Sequence, residues 1–173
     1  MNRPRRAMVL AAGLGLRLRP ITERLPKPLV EVAGQPMLGY ALDQVRAAGV
    51  EAAVVNAHHL APMIEDYVAR YGARHPALKI EISLEPTLLE TGGGVQKALP
   101  LLGPDPFYVL NSDVVLRDGE VPALEQLAER FDSMAMDALL LLQPVEHAIG
   151  YDGVGDYVMG LDGRLSHCGD ANE

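Results

Sequence analysis

The sequence predicts an α/β domain with a largely parallel β-sheet, and three observations lead there. Short apolar runs alternate with longer amphipathic segments, the pattern of strand–helix–strand units. Glycine-rich or polar loops follow the carboxyl ends of the runs, where open parallel sheets gather their ligand-binding residues. No repeat, linker or low-complexity stretch interrupts the 173 residues, a length suited to one domain with a sizeable core.

Taken in order, "AMVLAA" (7–12) reads as a buried first strand. Pro36 opens a helix whose Leu38, Ala41, Leu42, Val45 and Ala48 share one face, and Gly49 closes it. "AAVVN" (52–56) is the second strand, and residues 61–71 form a helix with Ile64, Tyr67, Val68 and Tyr71 inward. "KIEIS" (79–83) alternates as a strand does. A helix follows the glycine run 92–94, with Val95, Ala98, Leu99 and Leu102 as its apolar stripe. "PFYVLNSD" (106–113) is a strand ending in polar residues. Val121, Leu124, Ala128 and Phe131 mark a further helix, and "ALLLLQP" (138–144) a further strand. "GDYVMGLDGRLS" (155–166) reads as a hairpin turning at Asp162-Gly163.

Composition narrows the function classes. Apolar residues make up 49% of the chain and charged residues 22%, a globular balance. Cys168 is the one cysteine, which excludes an internal disulfide framework and a cysteine-built zinc site and suggests a cytoplasmic setting. Arg3 to Arg6 followed by "AMVLAAGLGL" resembles the start of a secretion signal, but Arg17 and Arg19 follow without a small-residue cleavage site. No apolar run approaches the ~20 residues of a membrane span.

Charge is unevenly spread along a chain of formal net charge −8. Residues 1–27 hold seven of the fifteen basic side chains and, among acids, only Glu23. An acidic body of this kind repels a nucleic-acid backbone. One concentrated basic patch suits a small polyanion such as a nucleotide.

The candidate loops lie at 13–27, 56–59, 85–94 and 111–113. Gly13 and Gly15 follow the first strand, where a missing Cβ lets backbone N–H groups approach an anion. Leu18 stands where a dinucleotide fingerprint needs its third glycine, and no Gly-Lys-Ser/Thr of a P-loop is present, so a plain strand–helix turn is the competing reading. Arg17 and Lys27 beyond that turn could hold a triphosphate. Pro26 and Pro28 fix the backbone on either side of Lys27, a stiff mount that a solubilising lysine does not need. Asp113 ends a strand in "LNSD", a position from which a carboxylate brings Mg²⁺ to a nucleotide or, alternatively, caps a loop. Gly92, Gly93 and Gly94 expose backbone suited to a base edge or a phosphate. His58 and His59 are adjacent, so they cannot share a helix face as metal ligands, and Cys168 has no paired base and reads as an inert thiol.

With these elements in order, residues 7–165 resemble the sugar-1-phosphate nucleotidyltransferases. "LAAGLGLRLRPIT" with "PKPLVEVAGQPML" is similar to the family's G-x-G-x-R…P-K-P signature, and "EPTLLETGGGVQKALPLL" and "VLNSD" look most like its uridylyl- and guanylyltransferase branches. The resemblance implies a Rossmann-like three-layer α/β/α sandwich with a mostly parallel mixed sheet. It implies Mg²⁺-dependent transfer of a nucleotidyl group from UTP or GTP to a sugar-1-phosphate. Carried onto this sequence, Gly13 and Gly15 would cradle phosphates, Arg17 would stabilise the leaving pyrophosphate and Lys27 would bridge both substrates. Thr91, Gly93 and Gly94 would meet the base or ribose, Asn111 would contact substrate, Asp113 would hold the metal, and Gly155 would sit near the sugar.

The chain departs from the family pattern at Leu16, usually Thr, Ser or Glu, and at Ser112, usually Gly. Members also continue past the hairpin to a late strand and a second metal-binding aspartate. The resemblance therefore implies that residues 1–173 are a single nucleotidyltransferase domain lacking its C-terminal portion, with weak or absent turnover. A non-catalytic nucleotide-sensing module that keeps the phosphate loop is the alternative, opposed by the joint presence of Arg17, Lys27 and Asp113.

Overall fold

Strand β1 (Arg6–Leu10) carries the core: Ala7, Met8 and Val9 are all fully buried. Side chains alternate across a strand, so Ala7 and Val9 join one apolar cluster while Met8 joins another on the opposite face. The computed structural model describes residues 3–168, in two compact units that divide at Leu139/Leu140.

In the first unit, β1 is followed by a two-stranded ribbon, β2 (Glu31–Val32) and β3 (Gln35–Pro36), then helix α1 (Met37–Ala47). Ala33 and Gly34 both have positive φ, at 51° and 83°, which gives the ribbon a tight turn matched to strand twist. β4 (Ala52–Ala57), α2 (Ala61–Arg74), β5 (Lys79–Leu84), α3 (Glu90–Leu102), β6 (Tyr108–Asn111) and α4 (Ala123–Arg130) complete the unit.

The sheet order is β5-β4-β1-β6, and every pairing is parallel, with Val9 opposite Val55 on one side and Leu110 on the other. Helices α1, α2 and α4 pack on one face through Leu38, Leu42, Val45, Ile64, Val68 and Leu124. Helix α3 covers the other face with Ala98 and Leu102 against Met8 and Val54. The expected three-layer α/β/α arrangement is thus observed. Each fully buried aliphatic side chain contributes about 1.5–3 kcal/mol.

The order of the strands places a functional crevice. The chain runs outward from β1 to β4 and β5, then α3 returns it to β6 on β1's other side. The direction therefore reverses between β1 and β6, and the loops leaving their carboxyl ends diverge around a crevice there.

Leu99 and Val121, expected on apolar helix faces, are 44% and 43% exposed, Val121 lying outside α4, and two further expectations need correction. "ALLLLQP" (138–144) forms no strand; Leu140, Leu141 and Leu142 remain 39–45% exposed. An apolar run becomes a strand only when a neighbour supplies the ladder, and among the described residues the sheet ends at β6. The second concerns α3, which begins at Glu90 and so contains the glycine run rather than following it.

The second unit, Leu140–Glu173, holds a 3-10 turn (Val145–His147) and an antiparallel hairpin of β7 (Tyr157–Met159) and β8 (Leu165–His167). The hairpin turns through Gly160 to Gly163 as expected, with Gly163 at φ 80°. Among the described residues, no helix is long and apolar enough to cross a membrane.

Candidate functional site: the crevice between β1 and β6

The loop after β1 folds back on itself through Gly15. This residue lies at φ 63°, in the left-handed region that disfavours a side chain. A Cβ there would stand 2.8 Å from Thr22 Cγ2 and 3.0 Å from Lys27 Cβ. Glycine is therefore required twice, by backbone conformation and by close approach. The Gly15 carbonyl accepts bonds from the Leu18 N–H (2.9 Å) and from the Thr22 hydroxyl (2.9 Å), and Thr22 is 1% exposed. Gly13, by contrast, has no atom within 4 Å of its absent Cβ and is open on that side.

A cavity of about 290 Å³ lies over this loop, lined by Gly15, Leu16, Arg17, Leu18 and Lys27. Arg17 is exposed, and Lys27 rises between Pro26 and Pro28, both buried. The stiff mount read from the sequence is present. Arg19 and Arg24 are exposed and do not line the cavity, which separates them from Arg17 and Lys27. Leu16, where the family pattern has a polar residue, is 55% exposed at the cavity wall, and its carbonyl accepts the Arg19 N–H.

Lys27 Nζ forms an ion pair with Asp113 Oδ2, joining the loop after β1 to the residue that follows β6 by two positions. The two side chains are 24% and 35% exposed, so the pair is open to solvent and worth little as a staple, about 0–1 kcal/mol. Its value is positional, because it sets a cation and a carboxylate against each other across the crevice. Ser112, which precedes Asp113, is buried, and its hydroxyl donates to the Leu10 carbonyl at 2.5 Å while its N–H donates to the same oxygen at 3.1 Å. These bonds fix the end of β6 to the end of β1 and account for a serine where the family pattern has glycine. Asn111, the last residue of β6, is exposed beside them.

Thr91, Gly93 and Gly94 lie in the first turns of α3, at the carboxyl end of β5. Thr91 is exposed and Gly94 buried. A Cβ on Gly94 would meet Asn56 Nδ2 and Glu85 Oε1, both at 2.8 Å, so this glycine admits two buried polar side chains. Gly155 belongs to the second unit, at φ 98°, where its N–H donates to Tyr151 Oη at 3.2 Å. Asn56, Glu85 and Thr22 carry site architecture that the sequence did not assign to individual residues. For Asn56 one signal exists, a lone polar residue near the end of an otherwise apolar strand.

Among the described residues no group of three or more His, Cys, Asp and Glu side chains is placed to hold a metal ion. Asp113 is the carboxylate at the crevice.

Fold and site together define a doubly wound α/β domain whose cationic glycine loop sits at the topological switch point, the usual ligand crevice of such sheets. Comparison with known proteins agrees. The family profile described as nucleotidyl transferase matches residues 6–155. The chain is 42% identical over 163 residues to the N-acetylmuramate alpha-1-phosphate uridylyltransferase of Caulobacter vibrioides, covering 94% of this chain and 67% of that protein. It is 41% identical over 143 residues to the Neisseria meningitidis protein of the same name, covering 82% and 61%. A UDP-glucose pyrophosphorylase solved with UDP-glucose shares the fold at a TM-score of 0.63 and 21% identity, over 72% of this chain and 52% of that one. This chain belongs to the nucleotidyl transferase family.

Proposed function

We propose that this protein transfers a nucleotidyl group from UTP or GTP to a sugar-1-phosphate, releasing pyrophosphate. The observation that carries the reading is the Lys27–Asp113 pair facing across the switch-point crevice beside the Gly15–Arg17 cavity. Reactions of this type need positioning and charge neutralisation more than covalent chemistry.

In the proposed reaction a sugar-phosphate oxygen attacks the α-phosphorus, a P–O bond forms there, and the bond to the β-phosphate breaks. Gly13, open on the side of its missing Cβ, lets backbone N–H groups approach the triphosphate, and Gly15, whose missing Cβ faces Thr22 and Lys27, holds the turn that cradles it. Arg17 stabilises the departing pyrophosphate. Lys27 reaches phosphates of both substrates. Thr91, Gly93 and Gly94 meet the base or ribose, Asn111 contacts substrate, and Gly155 serves the sugar.

Mg²⁺ suits this donor set, since it is commonly held by one or two carboxylates together with waters and substrate phosphates. Asp113 would hold it, and the ion would neutralise charge on the phosphate oxygens. With Asp113 engaged in this way, the Lys27 ammonium would be available to a phosphate.

Two relatives are named as uridylyltransferases acting on N-acetylmuramate α-1-phosphate, which supports UTP and an amino-sugar phosphate as the first pair to try. The single cysteine, Cys168, supports a cytoplasmic setting.

Pyrophosphate release tests the proposal, with UTP, GTP, CTP and dTTP each offered a panel of sugar-1-phosphates and Mg²⁺. Release with a uridine or guanosine triphosphate is expected. Nucleotide binding without release in every combination would favour the nucleotide-sensing reading instead.

A further inference from the structure

The phosphate loop and the start of α3 are joined through the carboxyl end of β4. Asn56, 3% exposed, accepts the Ala11 N–H on Oδ1 at 2.7 Å and donates from Nδ2 to Glu85 Oε1 at 2.8 Å. Glu85, 1% exposed, accepts the Leu89 N–H on its other oxygen at 3.1 Å, at the entrance to α3. His58 Nδ1 lies 2.8 Å from the Glu85 carbonyl, and His59 Nε2 lies 2.6 Å from the Thr22 carbonyl. A carbonyl oxygen can only accept, so these contacts assign the proton to Nδ1 of His58 and to Nε2 of its neighbour. Thr22 in turn holds Gly15.

We propose that residues 56–59 are a positioning strut, in which Asn56, His58 and His59 hold the phosphate loop and the glycine turn of α3 at a fixed separation. The proposal rests on the nucleotidyl-transfer reading for its consequence. A triphosphate held by one loop reacts only if the other substrate-binding element is correctly placed relative to it. None of the three side chains needs to touch substrate. The adjacency of the two histidines, useless for chelating a metal from one helix face, is what a strut requires. His58 follows the end of β4 and His59 opens the turn into α2, and the two rings reach different loops, the first the β5–α3 loop at Glu85 and the second the phosphate loop at Thr22.

Buried polar networks of this kind are rigid when fully satisfied. Asn56 ties β4 to the loops after β1 and β5, the two histidines tie their own segment to Glu85 and Thr22, and none of these bonds is needed to form β4 itself, whose ladder runs to β1 and β5. Loss of one tie therefore loosens loops before it unfolds the sheet.

His59→Ala removes the tie to Thr22, and His59→Gln offers an amide N–H in place of Nε2–H. Amide hydrogen exchange followed by mass spectrometry reads the strut without any activity. Faster exchange in residues 13–25 of His59→Ala, with β1 and β4 unchanged and His59→Gln close to the parent protein, is expected. Unchanged exchange in that segment overturns the strut. In kinetics, His59→Ala is expected to lower kcat about 10- to 100-fold with little change in KM for the nucleotide, and His59→Gln to recover most of it. A purely structural residue would lower the thermal midpoint and leave kcat per folded molecule alone, and that result, or a glutamine variant as poor as the alanine one, also overturns the proposal. If the parent protein turns over no nucleotide and sugar phosphate, the functional reading fails, and the exchange data alone decide the strut.

Discussion

Gly15 offers a sharp test of the phosphate loop, because its replacement by alanine meets two separate obstacles. Its φ of 63° lies in the left-handed region, where a residue with a side chain costs about 1–2 kcal/mol. The new methyl would also lie 2.8 Å from Thr22 Cγ2 and 3.0 Å from Lys27 Cβ. Thr22 cannot retreat freely, since it is 1% exposed and its hydroxyl and carbonyl are both bonded, to Gly15 and His59. Overpacking of this kind costs a further ~1–3 kcal/mol. The total, about 2–5 kcal/mol, corresponds to a thermal midpoint lowered by roughly 5–20 °C for a chain of this size. Urea unfolding measures the free energy directly, and an unchanged m-value would show that the two-state comparison holds. Gly13→Ala is the matched control, for its methyl would meet no atom within 4 Å. Its stability should change by less than about 0.5 kcal/mol. On the proposed reading its nucleotide affinity should still fall roughly tenfold, a loss of about 1.4 kcal/mol, because the methyl would stand on the side from which the triphosphate is proposed to approach. A Gly15→Ala protein as stable as the parent would refute the loop geometry. Equal losses at both glycines would refute the separation of fold from ligand contact.

Asp113→Asn should abolish Mg²⁺-dependent turnover while moving the urea midpoint very little, since the Lys27 pair it breaks is solvent-exposed; unchanged turnover would remove Asp113 from the reaction. Gly94→Ala drives a methyl to within 2.8 Å of Asn56 Nδ2 and Glu85 Oε1 and should cost about 1–3 kcal/mol in urea unfolding, whereas Gly92→Ala, with open space around it, should be neutral or stabilising. Tyr71 is 3% exposed and donates to Asp43 Oδ1 at 2.8 Å; burial and that bond raise its phenol above the ordinary 10. Its contribution is therefore complete below pH 10 and is lost as pH rises through the raised folded value, because the unfolded phenol releases its proton first. Tyr71→Phe should flatten part of the alkaline fall in stability and cost ~0.5–1.5 kcal/mol at neutral pH, both read from urea midpoints against pH.

Much of this architecture is legible in the sequence because periodicity and burial coincide. β1, β4 and β5 lie within a residue of "AMVLAA", "AAVVN" and "KIEIS" at most of their ends, and α1 stops one residue short of its closing Ala48-Gly49. "ALLLLQP" fails for a reason outside itself, since an apolar run cannot announce whether a neighbouring strand exists to pair with it. The glycine run misleads differently. Its low helix propensity argues for a start after Gly94, yet α3 begins at Glu90, and glycine at 94 answers to packing, since a buried amide and carboxylate need the space of its missing Cβ. That is tertiary context overriding local preference. In the site, Lys27 and Asp113 were placed by motif and strand end, and the structure pairs them. The ties through Asn56, Glu85 and His59 were not legible, because each is a contact between residues 29 to 45 positions apart or to a carbonyl that carries no sequence signal.

Nucleotidyl transfer cuts the nucleotide between its α- and β-phosphorus, and isotopic labelling shows which bond breaks. A nucleoside triphosphate labelled at the α-phosphorus, incubated with a sugar-1-phosphate and Mg²⁺, should carry its label into a nucleoside-diphosphate sugar, while label at the β-phosphorus should leave as pyrophosphate. Label moving from the γ-phosphorus to the sugar, or released as orthophosphate, would contradict the account.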